Sequence, residues 1–235
     1  GQKIMAQFRK DTHQYLPDGK TIFEVVMLAD QYGNMVGPAN PVGMAADGFG
    51  RARVSNPFTL FDSFHRYSDN GKINTANTAG GIYAWNANTS SIDCTVDTTS
   101  GASVYRESKK VFAYQPGKSL QLFTTFVMNP AKTNLRQRIG YFGTDNGLFL
   151  ERSNDVYFVK RSKVTGSVVD TKVAQADWNI DKLDGTGPSL LTLDLDNPQI
   201  FFMDIEWLGA GSIRMGFVIN GQLIHCHRSE EHTSE

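Results

Sequence analysis

The chain has 235 residues, 40% hydrophobic and 20% charged, with 23 basic against 24 acidic residues and a formal net charge of −1. This is the composition of a globular chain that buries a core, and it excludes disordered and fibrous classes. No stretch approaches the roughly 18 apolar residues of a spanning helix, and with Arg51-Ala52-Arg53 as the nearest basic group neither membrane insertion nor nucleic-acid binding is expected.

Taken in chain order, no signal peptide is read, and Met5 is read as the start. Residues 22–28 read as a first strand. From 33 to 57 the chain carries Gly33, Gly37, Pro38, Pro41, Gly43, Gly48, Gly50 and Pro57, too many breakers for a helix or central strand, so an extended arm is expected. The aromatic segment 57–64 is read as an anchor for that arm, and the Asn/Thr/Gly/Ser-rich stretch 68–90 as loop.

Strands are then expected over 92–96, 102–107, 110–114, 119–128, 136–142, 148–151, 155–163, 167–173, 199–207, 212–219 and 222–227, from period-2 alternation and turn chemistry. Asn146-Gly147 and Asn220-Gly221 read as hairpin turns, and 177–188 as a loop. About ten short strands with no helical period point to an all-β, antiparallel β-sandwich of jelly-roll, lectin- or glucanase-like type with an extended N-terminal arm. The expected organisation is a strand and Gly/Pro-rich arm over 1–65, a sandwich over 66–227 truncated at its C-terminal end, and a non-native tail over 228–235.

That tail, Arg228-Ser229-Glu230-Glu231-His232-Thr233-Ser234-Glu235, turns abruptly polar. It resembles the in-frame translation of a common sequencing adapter, so the natural sequence is expected to stop near His227 and these residues to carry no chemistry.

Four groups invite a chemical reading. On a strand, Phe202, Asp204 and Glu206 share one face about 7 Å apart, and Asp204 and Glu206 resemble the second and third acids of the Glu-x-Asp-x-Glu strand of laminarinase-type glucanases. The nucleophile position is Phe202, which cannot attack an anomeric carbon, so no hydrolase activity is expected. His225 and His227 would share a strand face with Cys226 opposite, which makes two ligands and no metal site. Asp194, Asp196, Asn197, Asp181 and Asp184 carry the hard oxygens calcium prefers, but in no EF-hand spacing, so loop solvation is expected. Tyr83, Trp85, Tyr105 and Tyr114 are placed either on a sugar-stacking surface or, more ordinarily, in a core or interface.

The remaining motifs read as turns. Gly209-Ala210-Gly211 and Asp184-Gly185-Thr186-Gly187 lack the Walker lysine, and Asn88-Thr89-Ser90 matches a glycosylation sequon but reads as loop. Cys94 and Cys226 are too few for a disulfide framework. No catalytic residue, metal ligand or cofactor is expected.

The segment Phe49-Gly50-Arg51-Ala52-Arg53-Val54-Ser55-Asn56-Pro57-Phe58-Thr59-Leu60-Phe61-Asp62-Ser63, with Arg138-Ile139-Gly140-Tyr141-Phe142, Asp145-Asn146-Gly147-Leu148-Phe149 and Ile205-Glu206-Trp207-Leu208-Gly209-Ala210-Gly211, resembles a family of virion structural proteins of tailed phages that infect marine bacteria. The resemblance runs from about Phe23 to His227 and implies a particle component, tail or fibre associated, assembled in the host cytoplasm and located in the virion. Its implied partners are other virion proteins and further copies of itself. A glycan on the host surface is the partner if the sandwich serves attachment. The resemblance transfers no catalytic residue.

Overall fold

The computed structural model describes residues 13–15, 22–24, 58–113, 118–206 and 212–230. The chain divides into two compact units, Gly1–Asn56 and Pro57–Glu235. In the first, β1 (His13–Tyr15) and β2 (Ile22–Glu24) pair antiparallel with Gln14 opposite Phe23. The arm read over 33–57, the glycines 209 and 211, Tyr114 and residues 231–235 lie outside the described residues.

In the second unit, residues 58–64 have no regular structure, and Phe61 packs on Phe112 with ring centroids 5.3 Å apart. Four largely exposed strands follow: β3 (Ile73–Asn77), β4 (Gly81–Asn86), β5 (Ser91–Val96) and β6 (Val104–Ser108). β3 pairs with β6 and β4 with β5. This corrects the loop expected over 68–90. Within 58–113 only Gly81 is fully buried, so these strands have no inward face to impose an apolar alternation.

Polar contacts hold them instead. Thr78 donates through Oγ1 to the Gly101 carbonyl at 2.7 Å, and Arg106 reaches Asp69 through both terminal nitrogens at 3.1 and 3.2 Å and Thr75 at 2.7 Å. Gly81 is required at its position because a Cβ there would lie 2.2 Å from the Ser103 carbonyl oxygen. The strand expected over 110–114 is also corrected: residues 111–113 are irregular. Val111 is exposed, the Phe112 ring packs on Phe61, and the Phe112 carbonyl accepts the Tyr141 hydroxyl.

The rest of the unit is an antiparallel, jelly-roll-like β-sandwich. One sheet runs in the order β11-β10-β9-β8 and the other β14-β13-β12-β7. Their ranges are β7 (Leu120–Phe126), β8 (Gln137–Phe142), β9 (Gly147–Arg152), β10 (Val156–Ser162), β11 (Val169–Ala174), β12 (Gln199–Ile205), β13 (Ser212–Ile219) and β14 (Gln222–Glu230). The chain changes sheets between β7 and β8 and returns between β11 and β12, which pairs β7 with β12 across a long sequence gap. All register pairs are antiparallel.

Period-2 geometry decides the core. Leu148, Leu150 and Phe158 point inward from the first sheet, and Phe201, Met203, Ile205, Ile213, Met215 and Phe217 from the second. Phe158 lies between them, 6.1 Å from Phe201 and stacked on Trp178 at 4.2 Å. Trp178, Leu183 and Leu195 come from the connection between β11 and β12 and complete the core at its end.

Two hairpins test the turn reading. Asn220 and Gly221 have φ of 53° and 75°, the doubly left-handed type I′ form that Asn-Gly favours. At the other site, β8 and β9 close with Phe142 opposite Gly147, and the loop is 143–146 with Gly143 N–H bonded to the Asn146 carbonyl at 2.8 Å. Asn146 thus ends a longer loop instead of forming a two-residue turn, and its side chain accepts the Lys163 N–H at 3.1 Å. β14 continues past His227, with Arg228, Ser229 and Glu230 opposite Arg214, Ile213 and Ser212.

Candidate functional site

The face of the β14-β13-β12-β7 sheet that points away from the core is built in three cross-strand rows, fixed by register. Thr125, Ile200, Val218 and Leu223 make an apolar row; Phe123, Phe202, Gly216 and His225 an aromatic row; Gln121, Asp204, Arg214 and Arg228 a polar row. Ile200 and Leu223 are exposed, Phe123 is 51% exposed, and Phe202 and Asp204 are buried.

The aromatic row depends on Gly216. A Cβ there would fall 2.9 Å from two carbons of the Phe202 ring and 2.0 Å from the Ile224 carbonyl oxygen. With that space empty, Phe202 lies 6.1 Å from the Phe123 ring and meets the His225 ring edge-on at 5.0 Å. In the polar row the Asp204 carboxylate stands 3.5 Å from an Arg214 terminal nitrogen. Asp204, which matches the second acid of the glucanase strand, therefore sits beside a filled aromatic site and an arginine. Glu206 lies just past the end of β12, its N–H on the Ser212 carbonyl at 3.2 Å.

The register of β14 corrects the geometry expected for its histidines. A β-bulge falls between Met215 and Gly216, so Met215 faces His227, Gly216 faces His225, and Cys226 is the extra residue. A bulge flips the alternation beyond it. His225 therefore lies on the outer face against Phe202, while His227 lies on the core side, 6.1 Å from Phe158. Burial, with the Arg214 charge beside it, holds the His225 imidazole below its usual pKa; burial alone does the same for His227. Cys226 is fully buried and its thiol is pushed far up, first by burial and then by Asp181.

The aspartates expected in loops are loop clasps. Asp181 is buried and accepts the Leu183 N–H at 2.9 Å and the Ser189 N–H at 2.8 Å. Asp184 accepts both the N–H and the hydroxyl of Thr186. Asp194 binds the Asp196 N–H and the Asn197 side chain, while Asp196 pairs with Arg152 at 2.6 Å. Among the described residues no three His, Cys, Asp or Glu side chains gather around a common point.

The aromatic residues do not form one stacking surface. Tyr83 and Trp85 share a face of β4, with the Arg106 guanidinium 5.7 Å from the Tyr83 ring and the Trp85 indole N–H on the His65 carbonyl at 2.8 Å. Tyr105 neighbours Arg106 on β6 and so points the opposite way, its hydroxyl on Glu107 at 2.9 Å. The sequon at Asn88 occupies the turn between β4 and β5.

A second face escaped the sequence reading. On the outside of the β11-β10-β9-β8 sheet, Glu151 is fully buried and receives Arg138 at 2.7 Å and Lys172; Asp170 takes the Arg161 fork at 2.8 and 2.9 Å. Phe149 lies beneath, 5.2 Å from the Arg138 guanidinium and 5.3 Å from that of Arg161. Burial raises the Glu151 carboxyl, but the Lys172 and Arg138 hydrogen bonds and charges outweigh it and leave it below the ordinary value. The Arg161 fork holds Asp170 down as well, against an opposing effect of burial. The signal was present as charged residues on four successive strands, β8 to β11, and it becomes a network only when the register is known.

A shallow depression of about 690 Å³ is lined by Lys132, Asn134, Arg136, Ser153 and Asn154 among others, with no carboxylate, histidine or cysteine. No family model, curated protein or solved structure matches this chain.

Proposed function

We propose that this protein is a non-enzymatic structural component of a tailed-phage particle, tail or tail-fibre associated, assembled in the host cytoplasm with other virion proteins. One observation carries the non-enzymatic part: on the outer face where a glucanase would place its acids, the nucleophile position is a buried phenyl ring and Asp204 faces Arg214. Retaining hydrolysis needs two carboxyl groups about 5 to 5.5 Å apart with a nucleophile among them. The particle assignment rests on the resemblance of segments 49–63, 138–142, 145–149 and 205–211 to the virion family. A rigid sandwich that spends its polar groups on its own cohesion suits that role.

Mass spectrometry of purified particles tests the proposal. The protein is expected as a stoichiometric component, and its absence from intact virions refutes the reading.

A second reading, a glycan-binding attachment module, is favoured by Phe123. It is half exposed beside Gln121 and Thr125, an apolar ring with polar neighbours of the kind that stacks on a sugar. A glycan array separates the two: binding lost in Phe123→Ala supports attachment, and silence of the full chain refutes it.

A further inference from the structure

We infer that β11 is a self-pairing edge and that two copies of this chain join there across a two-fold axis at Thr171, which makes one eight-stranded sheet from two four-stranded ones. β11 ends its sheet, with β10 as its partner on one side. Exposed β-branched residues lie along it: Val168, just before the strand, is 45% and Val169 51% exposed, and Thr171 is also exposed. An edge of this kind is a template for another strand unless charge, proline, a bulge or a covering segment blocks it.

Among the described residues none of those blocks operates. The stretch Val168-Val169-Asp170-Thr171-Lys172-Val173-Ala174 contains no proline, and its register against β10 is continuous from Val169 to Ala174. Its two charges are the usual guards of an edge, but both are drawn inward: Lys172 to Glu151 on β9 and Asp170 to Arg161 on β10. The edge of β14 is different. The Asn179 side chain clasps the Arg228 backbone from both sides at 2.7 and 2.8 Å, and the N–H groups of Ile180 and Asp181 bond the Cys226 carbonyl at 3.0 and 3.1 Å.

The occupant follows from the sequence of the strand, which is complementary to itself when reversed. Antiparallel pairing about Thr171 sets Asp170 opposite the second copy's Lys172, Val169 opposite its Val173, Val168 opposite its Ala174, and Thr171 opposite its counterpart. Opposite charges, β-branched pairs and Thr–Thr pairs are the favourable cross-strand combinations, and no like charges meet. A shift by one residue would move every side chain to the wrong face. Closed two-fold pairing also consumes the edge, so the assembly stops at two copies through this strand. The inference is independent of the virion reading, since a dimer of this kind serves any role.

Analytical ultracentrifugation of the full chain over a concentration series tests it. The wild type is expected to reach twice the monomer mass. Thr171→Lys and Thr171→Glu each place like charges face to face on the axis and are expected to sediment as monomers that keep a cooperative melting transition, whereas their equimolar mixture regains the doubled mass. A wild type that stays monomeric, variants that keep its dimer, or a mixture that stays monomeric overturns the inference. If either variant loses its melting transition, the decision passes to Thr171→Cys in a Cys94→Ser background. Rapid interchain disulfide formation on oxidation supports the two-fold register, and a persistently monomeric chain on non-reducing gels overturns it.

Discussion

Phe202 lies across Gly216 on the neighbouring strand, where a Cβ would come within 2.9 Å of two ring carbons. The other sheet repeats the device: a Cβ at Gly140 would lie 2.8 Å from the Cβ of Phe149. Both phenylalanines point away from the shared core, and both are nonetheless buried. A glycine opposite an aromatic residue gives the ring a flat seat on the sheet, and the ring covers backbone that the glycine leaves bare.

Gly216→Ala is therefore expected to destabilise the sandwich by about 3 kcal/mol, the upper part of the range for overpacking, because the Ile224 carbonyl blocks the new methyl as well. Urea unfolding measures this. Combining it with Phe202→Leu should cost less than the sum of the two single changes, since one clash is removed. Strict additivity would show that the ring contact is not what forbids a side chain at 216.

Gly221→Ala isolates a backbone effect. No heavy atom lies within 4 Å of a Cβ at that position, but φ is 75°. The expected loss is about 1 to 2 kcal/mol, the strain of a left-handed alanine, while Asn220→Gly should be near neutral. Thermal unfolding of both variants decides; equal losses would point to a lost Asn220 side-chain contact instead of turn conformation.

The Glu151 and Asp170 network predicts acid sensitivity. Both carboxyls lie below their ordinary values of 4.5 and 3.8 in the folded chain. A depressed carboxyl contributes stability that is complete above the unfolded pKa and is lost as pH falls through the folded one. Stability should therefore begin to fall below about pH 4.5 and continue to fall beneath pH 3.8. Glu151→Gln, which leaves the partly exposed Arg138 and Lys172 without their shared carboxylate, should cost about 2 kcal/mol at neutral pH, and the loss should shrink in acid. A penalty that stays constant from pH 7 to pH 3 would refute the ionic account.

His225 predicts a separate step at higher pH. Its pKa, like that of His227, is depressed in the folded chain from an ordinary value of 6.5. Here the unfolded chain takes up protons first, so stability falls as pH drops below about 6.5 and levels off only below the folded value. His225→Phe keeps an aromatic ring against Phe202 and removes the titration. It should flatten part of the decline below pH 6.5, the remainder being that of His227. An unchanged slope would sink this assignment.

Much of the fold was legible from residue order alone. The bounds of 212–219 agree with those of β13, and the Asn220-Gly221 turn has the expected form, because one side of each of these strands is packed and the alternation is strong. The absence of a first-position acid at Phe202 was also readable. Strands β3 and β4 were not, whereas β5 and β6 were expected as strands: Ile73–Asn77 and Gly81–Asn86 are largely exposed, show no apolar alternation amid Asn, Thr and Gly, and look like loop.

What the sequence alone determined was which residues face alternate sides within each strand and which turns are compatible with φ above zero. What only the tertiary structure decided was which faces meet. The bulge at Cys226 sends His225 and His227 to opposite sides of one sheet, and the register joins Arg138, Glu151, Lys172, Asp170 and Arg161 across β8 to β11. Both depend on pairing between strands. Pairing is a long-range choice set by total burial and charge balance, and no local window of residues contains it.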